Sequence, residues 1–169
     1  MILLGSTGSI GVNTLNIARK FDLNIEVLVA GKNIELLNKQ IKEFNPKKVV
    51  ISRKEDIHKV LHSNVSFGES AILEVIENSD SKTVVNALVG FLGLRPTLKA
   101  ITCGKKIALA NKESLVAAGK FIDQSKLSPI DSEHFGLWYL LQNKKIDSMT
   151  QRNKVEFLKT SLNRDLANV

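Results

Sequence analysis

The sequence predicts an α/β fold in which a mostly parallel sheet carries helices on both faces. Two observations predict it: short apolar runs alternate with helically spaced apolar patterns, and a glycine-rich segment joins the first such run to the first such helix. Ile2–Leu4 reads as a buried strand, followed by glycines and a helix through Thr14, Leu15, Ile17 and Ala18. Residues 25–30 form the second strand, and Ile34, Leu36, Leu37, Ile41 and Phe44 then recur at three- to four-residue intervals on a second helix. Val49–Ile51 is a third strand, and the charged segment 52–56 opens a further helix, on one face of which His58 and His62 are expected at the surface. Val65–Phe67 reads as a short strand and residues 71–77 as a helix.

Residues 83–89 read as a strong strand, apolar on both faces apart from Asn86. Pro96 stands near the start of the next helix, where a missing N–H costs nothing, and Gly104 is placed to cap its end. Residues 106–110 form another strand, 113–121 a helix and 128–130 a last short strand. Strands that alternate with helices require crossover connections, and these cover both faces of the sheet.

Composition narrows the class. With 43% hydrophobic and 24% charged residues the chain is globular rather than disordered, and its 169 residues suffice for one domain with a real core. The net charge of +7 suits an anionic partner, but the lysines are scattered with few aromatics between them, which disfavours nucleic acid. Cys103 is the only cysteine, so there is neither an intrachain disulfide nor a cysteine-rich metal site. The chain opens with three apolar residues after Met1 and then a glycine, and no run of about 18 apolar residues exists. A cytoplasmic location without a signal peptide or membrane span is the expectation.

Gly5-Ser6-Thr7-Gly8-Ser9-Ile10-Gly11 carries the chemistry. Glycines let backbone N–H groups approach a pyrophosphate, the helix N-terminus adds unpaired donors and partial positive charge, and the Thr7 and Ser9 hydroxyls add more. The spacing is GxxGxxG rather than GxGxxG, yet strand, loop and helix follow in the order a Rossmann-like, doubly wound dinucleotide-binding domain needs. The second strand chooses the cofactor. Sites for NAD place a carboxylate there to hold the ribose 2′-hydroxyl, whereas this strand ends Ala30-Gly31-Lys32-Asn33 and Glu26 comes too early to reach. A lysine attracts a 2′-phosphate, so NADP(H) is expected.

Two more polar segments follow late strands. In Asn111-Lys112-Glu113-Ser114, Asn111 can serve as a helix N-cap with Glu113 in the first turn, or both can face a ligand. In Asp131-Ser132-Glu133-His134, two carboxylates two residues apart can converge on a divalent cation or can cap a helix. His134 reads as a first-turn residue of that helix.

Together these segments resemble the 1-deoxy-D-xylulose-5-phosphate reductoisomerase family. The matching stretches are GSTGSIG, VAGKN at 29–33, NALVGFLGLRPTLKAI at 86–101, KKIALANKESLVAAGK at 105–120 and PIDSEHFGLW at 129–138, in family order over residues 1 to about 146. The resemblance implies a two-step reaction of non-mevalonate isoprenoid biosynthesis, catalysed by an oxidoreductase that is also an isomerase. A skeletal rearrangement to an aldehyde, promoted by Mg²⁺ or Mn²⁺, is followed by reduction with NADPH to 2-C-methyl-D-erythritol 4-phosphate. It further implies that Thr7, Gly8, Ser9 and Ile10 hold the pyrophosphate region, that Gly31, Lys32 and Asn33 meet the 2′-phosphate, and that Asn111 and Glu113 contact the cofactor. By the same resemblance Lys112, Ser132 and Glu133 bind the sugar phosphate substrate, Asp131 and Glu133 ligate the metal, and Lys112 and Glu133 are catalytic.

The implied organisation is an NADPH-binding domain over 1–125, the start of a catalytic and metal-binding region over 126–149, and a divergent tail over 150–169. The tail lacks the family's Ser/Gly-rich phosphate segment, its flap with His and Trp, and its Asn-Lys pair followed by glutamate. Val155, Leu158, Leu162 and Leu166 instead fall at helical spacing, as an amphipathic helix or a frayed tail. Poor activity of this chain alone is therefore expected, with the Phe135, Leu137, Trp138 and Leu141 surface left sticky. The family is dimeric through contacts lying largely beyond the matching stretches, which leaves the oligomeric state open.

Other readings compete. A short-chain dehydrogenase needs Tyr-x-x-x-Lys, but Asn143 follows Tyr139 at that spacing and Lys144 comes one residue late. A semialdehyde dehydrogenase needs a nucleophilic cysteine, whereas Cys103 reads as a helix-end residue. A non-catalytic NADP(H)-binding module and an inert remnant are the readings from outside enzymology.

Overall fold

The computed structural model describes residues 1–111, 113–114 and 124–130. All of them belong to one compact unit, Met1–Phe135, and the remaining unit, Gly136–Val169, lies wholly outside the described residues. The expected helix over 113–121 is therefore described only at Glu113 and Ser114, and the amphipathic tail over 150–169 not at all.

The described strands are β1 (Ile2–Leu4), β2 (Val27–Ala30), β3 (Lys48–Ile51), β4 (Val65–Phe67), β5 (Thr83–Asn86), β6 (Lys106–Leu109) and β7 (Leu127–Pro129). They form one sheet in the order β4-β3-β2-β1-β5-β6-β7, and every neighbouring pair is parallel. The expected mostly parallel sheet is thus parallel throughout its described strands. The order reverses beside β1: Leu3 pairs with Leu28 of β2 on one side and Val85 of β5 on the other. Crossovers leave β1 and β5 in opposite directions, opening a crevice at the strands' carboxyl ends where such sheets bind ligands.

The helices are α1 (Ser9–Lys20), α2 (Ile34–Phe44), α3 (Gly68–Asn78) and α4 (Leu94–Thr102). Alternating strand residues feed two cores. Leu3, Leu28, Val49, Ile51 and Val85 pack with Leu15 and Ala18 of α1 and Leu37 and Ile41 of α2. Ile2, Leu4, Val27, Val29, Val50, Val84 and Ile107 pack with Ala71, Val75 and Ile76 of α3 and Ala100 of α4. Burial on both faces accounts for strands that read as continuous apolar runs.

The ends of the elements follow local chemistry. Asn33 caps α2 by accepting from Leu36 N–H at 3.1 Å. At the end of α4, Gly104 lies at φ +71° with its N–H on Ile101 O, and Lys105 N–H reaches Ala100 O, both at 2.9 Å. This pair of bonds is the Schellman arrangement that a glycine after a helix permits.

Several elements differ from expectation. The strand expected over 83–89 ends at Asn86, where the side-chain carbonyl takes Leu88 N–H and the chain turns into a 3₁₀ turn at Gly90–Gly93. The helix expected after residue 52 is a 3₁₀ helix, Lys54–Lys59, drawn around buried Asp56 by ion pairs from Arg53 and Lys59. His62 is not on that helix: its ring nitrogens lie 2.9 Å from Pro46 O and 3.1 Å from Asn64 O, so it is a half-buried brace between loops. No helix among the described residues is long and apolar enough to cross a membrane.

Candidate functional site

Four segments leave the carboxyl ends of the strands: 5–8 after β1, 31–33 after β2, 87–93 after β5 and 110–111 after β6. The first is shaped by its glycines. Gly5 adopts φ +84°, and a Cβ there would lie 2.6 Å from Ala87 O, so only glycine lets this loop touch the one after β5. A Cβ on Gly11 would lie 2.2 Å from Gly5 O and 2.7 Å from two backbone atoms of Ser6. Gly11 therefore lets the first turn of α1 press against its own loop. Gly8 makes no such demand, since its Cβ would sit 3.5 Å from Gly5 O in ordinary contact.

The loop's backbone donors divide into two sets. Gly5 and Ser6 N–H both bond Val29 O, at 2.8 and 2.9 Å, and Gly8 N–H bonds Gly5 O at 3.1 Å. Thr7, Ser9, Ile10 and Gly11 N–H have no acceptor among the described residues, and no side chain caps α1 at Gly8. Unpaired donors at the head of a helix, with the dipole adding partial positive charge, suit an anion. Gly8 and Ser9 are exposed, and Thr7 and Ile10 are half-buried.

Gly31, Lys32 and Asn33 form the exposed turn at the end of β2. Nothing lies within 4 Å of a Cβ built on Gly31, so the space beside it is open. Lys32 puts a cationic side chain at this strand end, and the Asn33 carbonyl oxygen is occupied in capping α2. Glu26 sits at the other end of the sheet. Its buried carboxylate accepts from the hydroxyls of Ser79 and Ser81 and from Asp80 N–H. Burial raises its pKa, but these bonds and nearby Lys47 outweigh that and hold it below the ordinary carboxylate value.

Asn111 is fully buried, and its side-chain amide is fully occupied. Nδ2 donates to Leu88 O at 2.7 Å and Gly90 O at 2.6 Å, while Oδ1 accepts from Ser114 N–H at 2.9 Å and from the Ser114 hydroxyl. This is the N-cap reading of that segment, extended: one side chain caps the turn after β6 and ties down the loop after β5. A Cβ on Gly93 would lie 2.7 Å from Asn111 Cγ, so Gly93 makes room for it. Asn86 completes the support by donating to Gly93 O at 2.9 Å and Thr97 Oγ1 at 2.8 Å. The loop so held exposes Val89, Phe91 and Leu92. Glu113 is half-buried in the turn after Asn111.

Lys112, Asp131, Ser132, Glu133 and His134 lie outside the described residues. No group of three or more potential metal-ligating His, Cys, Asp or Glu side chains occurs among the described ones. Sequence reasoning missed the supporting residues Gln40, Asn86 and Thr97. The signal for Gln40 was a polar residue on the buried stripe of an amphipathic helix, between Leu37 and Ile41.

A model of the 1-deoxy-D-xylulose 5-phosphate reductoisomerase family matches residues 1–119. The chain belongs to this family. The reductoisomerase of Nautilia profundicola is 67% identical over 144 residues, and that of Wolinella succinogenes 58% over 147. Each match covers 85% of this chain but only 39% and 41% of the relative, so the chain spans about two fifths of the reductoisomerases it matches. A crystal structure of a reductoisomerase in complex with NADPH, fosmidomycin and magnesium superposes with a TM-score of 0.72 at 35% identity, over 79% of this chain and 36% of that one. The Zymomonas mobilis reductoisomerase in complex with NADPH gives 0.71, again at 35% identity, over 79% and 38%.

Proposed function

We propose that residues 1 to about 125 are the NADPH-binding half of a 1-deoxy-D-xylulose 5-phosphate reductoisomerase. The observation that carries this is the set of N–H donors without an acceptor among the described residues, at Thr7, Ser9, Ile10 and Gly11, on the crevice side of a sheet whose next strand leads into Lys32 rather than a carboxylate. In this reading Thr7, Ser9 and Ile10 hold the cofactor's pyrophosphate by backbone donors, which need no counter-charge beyond the helix terminus, and Gly8, whose N–H is taken by Gly5 O, lines the site without a side chain in the way. Gly31, Lys32 and Asn33 receive the 2′-phosphate, with Lys32 supplying the charge and open Gly31 the room. Asn111 and Glu113 border the cofactor from the end of β6. Since the Asn111 amide is already occupied, its part is to hold the loop at 87–93 in shape.

For the reaction, Lys112, Ser132 and Glu133 are assigned to the substrate, Asp131 and Glu133 to Mg²⁺ or Mn²⁺, and catalysis to Lys112 and Glu133. NADPH supplies a hydride, and the metal ion a Lewis acid for the rearrangement of 1-deoxy-D-xylulose 5-phosphate. Two protein carboxylates leave a divalent ion under-coordinated, and residues 150–169 carry none of the family's phosphate-binding or flap signatures. We therefore assign the 169-residue chain cofactor binding with poor turnover when it acts alone. We assign the start of the catalytic and metal-binding region to residues 126–149, in a cytoplasmic enzyme that acts on a sugar phosphate.

The test follows NADPH fluorescence with the purified chain, then adds Mn²⁺ and 1-deoxy-D-xylulose 5-phosphate. An enhanced signal that persists after substrate supports the reading. Steady loss of signal at ordinary enzyme rates overturns the assignment of poor turnover, and no change on mixing overturns the binding site.

A further inference from the structure

Gln40 lies in the middle of α2, outside every segment assigned above, and is buried, with only 5% of the residue exposed. Its Nε2 donates to Ser6 O at 2.9 Å, reaching from the second helix into the phosphate loop. The rest of this contact is poorly satisfied: Gln40 Oε1 and the wholly buried Ser6 hydroxyl have no partner among the described residues. An apolar side chain of similar size would spare the orphan amide oxygen but leave Ser6 O without its only described donor, so what the glutamine contributes here is a fixed orientation of that carbonyl.

The consequence runs through one peptide unit. No described peptide bond is cis, and in a planar trans peptide the C=O and the following N–H point in opposite directions. Holding Ser6 C=O toward α2 therefore turns Thr7 N–H away from α2. Thr7 N–H is one of the donors without an acceptor, whereas its neighbours Ser6 and Gly8 are bonded within the fold. We infer that Gln40 is a positioning residue that aims Thr7 N–H at the pyrophosphate of the cofactor. This rests on the NADPH reading above.

The experiment uses the full chain and Gln40→Met, which keeps the side chain's length and removes both the donor and the orphan oxygen. NADPH and 2′-AMP, which carries the 2′-phosphate without a pyrophosphate, are titrated against each protein. The variant is expected to weaken NADPH about ten-fold, the order of one charge-assisted bond, and to leave 2′-AMP within about two-fold. Unchanged NADPH affinity overturns the inference, and so does an equal loss for both ligands, which would mean a general loosening of the loop. A parent chain that binds neither ligand overturns the NADPH reading itself, and this inference with it. In case the variant does not fold, ¹⁵N-labelled parent chain is titrated with inorganic pyrophosphate. The Thr7 amide signal is expected to shift well beyond those of Gly5, Ser6 and Gly8, and an unmoved Thr7 signal overturns the inference.

Discussion

Gly11→Ala is the sharpest test of how the phosphate loop is built. The new Cβ would meet Gly5 O at 2.2 Å, against about 3.4 Å for ordinary contact, so roughly 1.2 Å (3.4 − 2.2) must open. The atoms it meets are backbone on both Gly5 and Ser6, so no rotamer change can relieve the clash. Forced overpacking costs about 1–3 kcal/mol, and neighbours that are all backbone put this case in the upper part, at about 2–3 kcal/mol. Alanine's better helix propensity returns about 1 kcal/mol, leaving a net loss of about 1–2 kcal/mol. That corresponds to a fall in Tm of roughly 3–8 °C for a domain of this size. Because the clash moves the donors relative to one another, NADPH affinity should fall as well. Gly31→Ala is the matched control: its Cβ meets nothing within 4 Å, and it should melt with the parent to within about 0.5 kcal/mol. The assay is a thermal melt by circular dichroism beside a fluorescence titration with NADPH. A Gly11→Ala chain that melts at or above the parent and binds equally would refute the reasoning.

Other outcomes follow from the same geometry. Asn111→Ala leaves Leu88 O, Gly90 O and Ser114 N–H without partners and should cost about 2–3 kcal/mol, with faster proteolytic nicking within 87–93; an unchanged melt and digest would contradict this. Lys32→Ala should weaken NADPH about ten-fold and leave NADH unaffected, read as the ratio of the two dissociation constants; an unchanged ratio would remove Lys32 from the 2′-phosphate site. The Glu26 carboxyl lies below its ordinary value, so its stabilisation is complete above about pH 4.3 and is lost as pH falls through the lower folded value. Glu26→Gln should therefore lower Tm near neutral pH, with the gap to the parent closing in acid; a gap that is constant or widens as pH falls would show the sign to be wrong.

Much of the fold was legible because a doubly covered parallel sheet writes itself in apolar runs. Ile2–Leu4, Val49–Ile51 and Val65–Phe67 hold strands where the pattern puts them, and Ile34–Phe44 fills its helical stripe from end to end. The pattern failed where a side chain took over a backbone bond. Asn86 ends β5 early by taking Leu88 N–H, and Asp56 tightens an expected helix into a 3₁₀ turn, effects that apolar periodicity does not encode. At the candidate site, the glycine spacing announced an anion loop, but only coordinates divide Thr7 N–H from Ser6 N–H. The capping reading of Asn111 was open from sequence. Its reach across to Leu88 and Gly90 depends on a contact 21 to 23 residues away, which no local rule contains.

The central claim, that this chain carries a working NADPH site, is tested most directly by titrating the purified 169-residue chain with NADPH and NADH and following cofactor fluorescence. The account predicts saturable binding of NADPH, with NADH weaker by about ten-fold or more, as loss of the 2′-phosphate contact requires. Equal affinity for the two, or binding of neither by a chain that is folded, would contradict it.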